Sequence, residues 1–168
     1  TVRTLERAGS DCVQLEDQVS PKRCGHFNGK EVISTQEMIS KIKSACDARN
    51  DANLMIMART DAAATEGLDA AIERAQRYAE AGADLLFVEA VTTLDDIKAL
   101  PQRLSSPQLI NMVIGGKTPV THVNDLSGMG YALILYANAA LQGAVTGMQN
   151  ALRHLQTHGK LDEDPALV

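Results

Sequence analysis

Short apolar runs recur along this chain, each ending in polar residues and then giving way to a helical pattern. Cys12-Val13-Gln14-Leu15 alternates and reads as a strand. Residues 54–58 (Leu-Met-Ile-Met-Ala) and 85–88 (Leu-Leu-Phe-Val) are continuous apolar runs, as expected of strands buried on both faces. Leu109-Ile110 and residues 131–136 complete a set of five. Between the strands, apolar residues return every three or four positions. Met38, Ile39, Ile42, Ala45 and Cys46 form one stripe, with Ser34 or Thr35 as its cap and Glu37 in its first turn. Ala71, Ile72, Ala75, Tyr78 and Ala79 form another, entered after Gly67 and stopped by Gly82. Shorter helices are predicted over 93–100, stopped by Pro101, and over 123–129, stopped by Gly130. Residues 2–8 read as the end of a helix stopped by Gly9. Residues 138–157 read as a long Ala-rich helix with Leu141, Val145, Met148, Leu152 and Leu155 on its buried side.

Strand and helix alternate without a hairpin signal, which implies an α/β fold of parallel strands joined by right-handed crossovers. An open doubly wound sheet and a (β/α)8 barrel both satisfy that pattern. No GxGxxG follows a strand, which weakens the dinucleotide-binding open sheet. The strand ends favour the barrel. Glu16 and Asp17, then Arg59 and Asp61, then Glu89, then Asn111 all stand at C-terminal ends, which converge on one mouth in a barrel. Five strands are too few for a whole barrel, so the expectation is a partial (β/α)8 TIM barrel carrying strands four to eight. Residues 1–159 form its C-terminal part and 160–168 a loose acidic tail.

Composition narrows the functional classes. With 168 residues, 45% hydrophobic and 22% charged, the chain suits one soluble domain with a real core. A net charge of −5, no tryptophan and no basic stripe argue against nucleic acid. No apolar run approaches the ~20 residues of a membrane span, and residues 1–7 lack the apolar segment of a signal peptide. Cys12, Cys24 and Cys46 are an odd set with no CxxC, which suits free thiols in a reducing cytoplasm and no structural zinc.

The densest chemistry lies in residues 16–29, Glu-Asp-Gln-Val-Ser-Pro-Lys-Arg-Cys-Gly-His-Phe-Asn-Gly. Glycines on both sides of His26 give the loop conformational freedom. Lys22 and Arg23 beside Cys24 favour thiolate, fitting that thiol for nucleophilic or acid/base work. The competing reading is a polar turn with an incidental cysteine. Arg59 follows a buried strand and has a structural reading as the partner of Glu89 or Asp61. Asp61 is placed to cap the next loop and to orient Arg59. Cys12 and Cys46 read as small buried hydrophobes.

Glu16-Asp17-Gln18 followed by Pro21-Lys22-Arg23-Cys24-Gly25-His26 resembles the signature of the isocitrate lyase/phosphoenolpyruvate mutase superfamily. Met57-Ala58-Arg59-Thr60-Asp61-Ala62, Phe87-Val88-Glu89, and Asn111-Met112-Val113 with Gly115-Gly116-Lys117-Thr118-Pro119 match it in the same order. The Lys-Arg-Cys-Gly-His form looks like the lyase branch. The resemblance implies a Mg2+-dependent lyase that cleaves a small 2-hydroxy di- or tricarboxylic acid to a 2-oxo acid and a carboxylate. Oxaloacetate-cleaving and carboxyphosphonoenolpyruvate phosphonomutase-like relatives are the alternatives. An inactive half-barrel working only by association is a third. By resemblance, Cys24 protonates the departing carbanion, and Lys22 and His26 tune it. Arg59 clamps a carboxylate, Glu89, Asn111 and the Gly25 N–H contact substrate, and Glu16 reaches the metal through water. The family's direct metal ligands, an Asp-x-Asp pair on an earlier strand, have no counterpart here. Resemblance also implies a homo-oligomer, a tetramer built by helix swapping.

Overall fold

The five apolar runs pair into one parallel sheet in chain order, β1 (Cys12–Glu16), β2 (Met55–Thr60), β3 (Leu85–Val88), β4 (Gln108–Asn111) and β5 (Leu133–Leu135). This architecture is seen in a computed structural model that describes residues 1–24, 29–161 and 163. A doubly wound sheet reverses its strand order at a switch point; this one never reverses, as in a barrel wall. The chain divides into two units, Thr1–Leu135 and Tyr136–Val168.

The first unit contains the sheet and five α-helices, α1 (Val2–Arg7), α2 (Thr35–Ala48), α3 (Leu68–Glu80), α4 (Leu94–Arg103) and α5 (Val123–Met129). Side-chain caps start α2, at one of the two residues the sequence offered, and α4. Ser34 Oγ accepts the Glu37 N–H at 3.1 Å, and Thr93 Oγ1 accepts that of Asp96 at 3.1 Å. The predicted stripes point inward. Met38 and Ile42 of α2, Ala71, Ile72, Ala75 and Tyr78 of α3, and Ile97 and Leu100 of α4 pack against Ala58, Leu86, Val88 and Ile110 of the strands. The opposite sheet face buries Met57, Leu85, Phe87 and Leu109. Strands β2 and β3 are therefore covered on both faces, apart from Met55 at the start of β2. No described helix is long and apolar enough to cross a membrane.

Three expectations are corrected. Pro101 lies inside α4 and does not stop it. Proline has no N–H for the carbonyl of Ile97 four residues back, and the Tyr131 hydroxyl donates to that carbonyl instead, at 2.9 Å. The last strand is shorter than residues 131–136, because Tyr131 is committed to α4. The loop after β1 is closed at its base by an antiparallel bridge between Gln18 and Val32, where no hairpin was expected.

The second unit holds helix α6 (Ala139–His158), which buries none of its residues. Leu141, Val145, Met148, Leu152 and Leu155, expected on a buried side, are all exposed. Periodicity says which side chains share a face, not whether a surface exists to cover them. The expected tail, 160–168, lies mostly outside the described residues.

Candidate active site

Strand parity decides which side chains meet. Glu16 is opposite Arg59 in the ladder, Arg59 is opposite Phe87, and Phe87 is opposite Leu109. Alternate residues share a face. Glu16, Arg59, Glu89 and Asn111 therefore lie at the C-terminal edge of the face lined by Met57, Leu85, Phe87 and Leu109.

Arg59 is the hub. Its Nε donates to Asp61 Oδ2 at 2.9 Å and its Nη2 to Asp61 Oδ1 at 3.2 Å, a bidentate pair. Its Nη1 lies 3.1 Å from Glu89 Oε2, and its Nε lies 3.4 Å from Glu16 Oε2. Its guanidinium carbon sits 5.0 Å from the centre of the Phe87 ring. Arg59, Asp61 and Glu89 are all buried. Burial works against the charge on Arg59, but Asp61, Glu89 and Glu16 outweigh it and raise its pKa. Burial likewise pushes Asp61 up, yet Arg59 and Lys30 together hold it below the usual carboxylate range. Asp61 orients Arg59, as the sequence suggested, but its side chain caps nothing. Ala90, which follows Glu89, is held at φ 58°, a left-handed conformation, and its N–H donates to Glu89 Oε1 at 3.0 Å.

A second buried carboxylate supports this hub. Asp17 Oδ1 accepts the Asp61 N–H at 2.9 Å, and Asp17 Oδ2 accepts the Tyr78 hydroxyl at 2.9 Å. Arg74 Nη1 approaches Asp17 Oδ2 at 3.6 Å and is anchored by Glu66. Burial raises the Asp17 carboxyl, and its hydrogen bonds offset that only in part. Burial and the neighbouring Asp17 raise the Tyr78 phenol.

The loop after β1 carries the remaining candidates. Lys22 Nζ lies 3.7 Å from Glu16 Oε1, with its side chain 58% exposed. Cys24 is an exposed free thiol. The Gln18 carboxamide donates to the Arg23 carbonyl and accepts the Arg23 N–H, both at 2.9 Å, fixing the backbone just before Cys24. Gly25 and His26 lie outside the described residues. Cys12 and Cys46 are half-buried rather than buried; Cys46 donates to the Gly82 carbonyl at 3.3 Å, and burial raises both thiols.

Glu16, Lys22, Arg59 and Glu89 are thus in direct contact, and Asn111 shares their face. The Asn111 Oδ1 is buried with no hydrogen-bond partner among the described residues. Such an atom is costly unless a ligand or water donates to it. Sequence reasoning gave no role to Lys30, whose Nζ is 3.0 Å from Asp61 Oδ1, or to Arg74. Arg74 left a signal, a charge four residues before Tyr78 on an otherwise apolar face. Lys30 left none, since nothing in a loop sequence marks a lysine as buried. Among the described residues no group of three His, Cys, Asp or Glu side chains is placed to hold a metal ion. The described residues therefore do not supply a three-ligand protein site for a cation.

Comparison with known proteins gives these contacts a context. The family model described as phosphoenolpyruvate phosphomutase matches residues 1–156. A 2-methylisocitrate lyase of Aeropyrum pernix is 43% identical over 159 residues, covering 95% of this chain and 51% of that protein. A 2,3-dimethylmalate lyase of Eubacterium barkeri is 45% identical over 148 residues, covering 88% of this chain and 51% of that protein. A crystal structure of 2,3-dimethylmalate lyase matches with a TM-score of 0.89 at 34% identity, over 99% of this chain and 57% of that one. A phosphonopyruvate hydrolase solved with oxalate and Mg2+ matches with a TM-score of 0.79 at 26% identity, over 100% of this chain and 58% of that one. The chain spans about half the length of the curated relatives it matches. Its five ordered strands form part of a (β/α)8 barrel, and the chain belongs to the phosphoenolpyruvate mutase/isocitrate lyase superfamily.

Proposed function

We propose that the whole protein is a carbon–carbon lyase and that this chain carries its carboxylate-binding and acid/base groups. The substrate is a small 2-hydroxy di- or tricarboxylic acid of the 2-methylisocitrate or 2,3-dimethylmalate type. The observation that carries this reading is the Arg59 hub, with the orphan Asn111 Oδ1 on the same strand-end face.

A guanidinium has five N–H groups in a planar fork. Asp61 and Glu89 take one contact at each of its three nitrogens, which orients Arg59 and leaves N–H groups on Nη1 and Nη2 for a substrate carboxylate. Asn111 Oδ1 accepts from a donor, and the 2-hydroxyl is the donor such a substrate offers. In the cleavage, a base of the whole enzyme takes the hydroxyl proton, and the oxygen becomes the 2-oxo oxygen. The electron pair of the broken carbon–carbon bond stays on the carbon beside a carboxylate of the leaving fragment. The Cys24 thiol gives that carbon its proton. Lys22 and His26 tune the thiol, and Glu89 and the Gly25 N–H hold the substrate.

Mg2+ belongs to the whole enzyme in this reading, with its direct ligands outside this chain and Glu16 as a neighbour through water. When bound, it supplies charge that stabilises oxygens of the 2-oxo product. Three free cysteines support a reducing cytoplasm. A homo-oligomer, a tetramer by family resemblance, completes the proposal.

The test is to assay the full-length protein with Mg2+ against 2-methylisocitrate, 2,3-dimethylmalate, oxaloacetate and phosphonopyruvate, following 2-oxo acid release. Turnover of either 2-hydroxy acid is the expected result. Turnover of oxaloacetate or phosphonopyruvate alone would move the protein to another branch, and no turnover of any would overturn the enzyme reading.

A further inference from the structure

A buried lysine joins the loop that bears Cys24 to the strand end that bears Arg59. The Lys30 side chain is 1% exposed, and its ammonium lies 3.0 Å from Asp61 Oδ1. That same oxygen accepts Arg59 Nη2 at 3.2 Å. One carboxylate oxygen is thus shared between a cation of the loop and the guanidinium at the centre of the site.

Asp61 is a fixed post for both, because its backbone N–H is held by Asp17 Oδ1 at 2.9 Å. From Lys30 a chain of contacts runs back towards the thiol. Gly29, at φ +75°, has no Cβ, and one placed there would meet Arg23 Nη1 at 2.8 Å. The Arg23 side chain therefore lies against Gly29, next to Lys30. Arg23 is also gripped by both ends of the Gln18 carboxamide. Val19 N–H donates to the Glu31 carbonyl at 2.9 Å, tying the two arms of the loop beside Lys30. Cys24 is the next residue after Arg23.

We propose that Lys30 is a positioning residue that couples the placement of the Cys24 loop to the orientation of the Arg59 clamp through their shared partner, Asp61. This deepens the lyase reading and rests on it for the roles of Cys24 and Arg59. The physical case is one of satisfaction. A buried ammonium is stable only beside an ionised, correctly placed acceptor. Lys30 lies 3.0 Å and Arg59 Nη2 3.2 Å from the same Asp61 Oδ1, so a shift of the loop's lysine is felt at the clamp and a load on the clamp is felt at the loop.

The experiment uses the full-length protein and reads the rate at which iodoacetamide alkylates Cys24, by peptide mass spectrometry, in wild type, Lys30→Met and Lys30→Arg. Lys30 is separated from the thiol by six positions, so a change in that rate reports the coupling. Lys30→Met is expected to raise the rate by at least about five-fold, a coupling of ordinary size for linked residues, with melting still cooperative. Lys30→Arg, which keeps the charge on Asp61, is expected to restore most of the wild-type rate. With oxalate as a two-carboxylate probe, protection of Cys24 is expected in wild type and Lys30→Arg and lost in Lys30→Met. Equal rates in wild type and Lys30→Met would overturn the coupling, as would Lys30→Arg reacting as fast as Lys30→Met. If Lys30→Met does not fold, Lys30→Gln keeps a donor without the charge and carries the same comparison. The thiol rates need no turnover, so failure of the lyase reading appears separately, as absent 2-oxo acid release by wild type.

Discussion

The strand-end cluster and the loop above it are built on opposite plans. Arg59, Asp61 and Glu89 are buried, multiply paired and backed by Asp17, Tyr78 and Arg74. Lys22 and Cys24 lie a few residues beyond β1, yet both are exposed, and the Lys22–Glu16 ion pair spans 3.7 Å. On the proposed reading, the difference is a division of labour between the Arg59 clamp and the Cys24 loop. Groups that recognise a carboxylate gain from being fixed before the ligand arrives, because ordering them later would cost affinity. A group that delivers a proton must approach and leave, so it sits on a loop.

Removing the hub should break the cluster hardest. Arg59→Met leaves Asp61 and Glu89 buried without their cation, at an expected cost of about 3–5 kcal/mol in urea unfolding. The same variant should lose oxalate binding in calorimetry. A cost below about 1 kcal/mol would mean that the cluster is not preorganised by ion pairing.

Asn111→Leu should act in the opposite sense on stability. It removes an unpaired buried acceptor, so unfolding is expected to become harder by about 1 kcal/mol while substrate affinity falls. A loss of stability would show that Oδ1 is satisfied in the free protein.

Acid should separate the regions more gently. Asp61 has its folded pKa lowered by Arg59 and Lys30 against the effect of burial. Its contribution is therefore present above the unfolded value, near pH 4, and is lost as pH falls through the lower folded value. The gap in urea midpoint between wild type and Asp61→Asn is expected to narrow as pH drops below about 4. Using that difference removes the opposing effect of Asp17, whose carboxyl is raised. A gap that stays constant down to pH 2 would contradict the pairing.

The smallest effect belongs to the loop. Lys22→Met should change unfolding stability by less than about 0.5 kcal/mol, since an exposed pair contributes little. A larger loss would place Lys22 with the buried cluster instead.

How much of this was legible depended on whether the signal was local. Parallel strands with polar ends showed in the alternation, but the register that puts Glu16 opposite Arg59 appeared only in the paired sheet. Motif resemblance named Arg59, Glu89 and Asn111, and the residues beside them offered Asp61 and Glu89 as partners of Arg59. Lys30 is distant from Asp61 in sequence, so their pairing exists only once the sheet has formed. Pro101 looked like a stop because the Tyr131 hydroxyl that rescues the Ile97 carbonyl comes from another element. The α6 stripe reads as a buried face in any sequence, yet its leucines are exposed, because a covering surface is not encoded in the helix itself.

The most direct measurement is made on the full-length Cys24→Ser protein, recording both 2-oxo acid release from 2-methylisocitrate or 2,3-dimethylmalate and oxalate affinity. If the loop delivers the proton and the strand ends hold the carboxylate, turnover falls by about 100-fold or more while oxalate affinity stays near wild type. Near-normal turnover, or a parallel collapse of oxalate binding, would contradict that division.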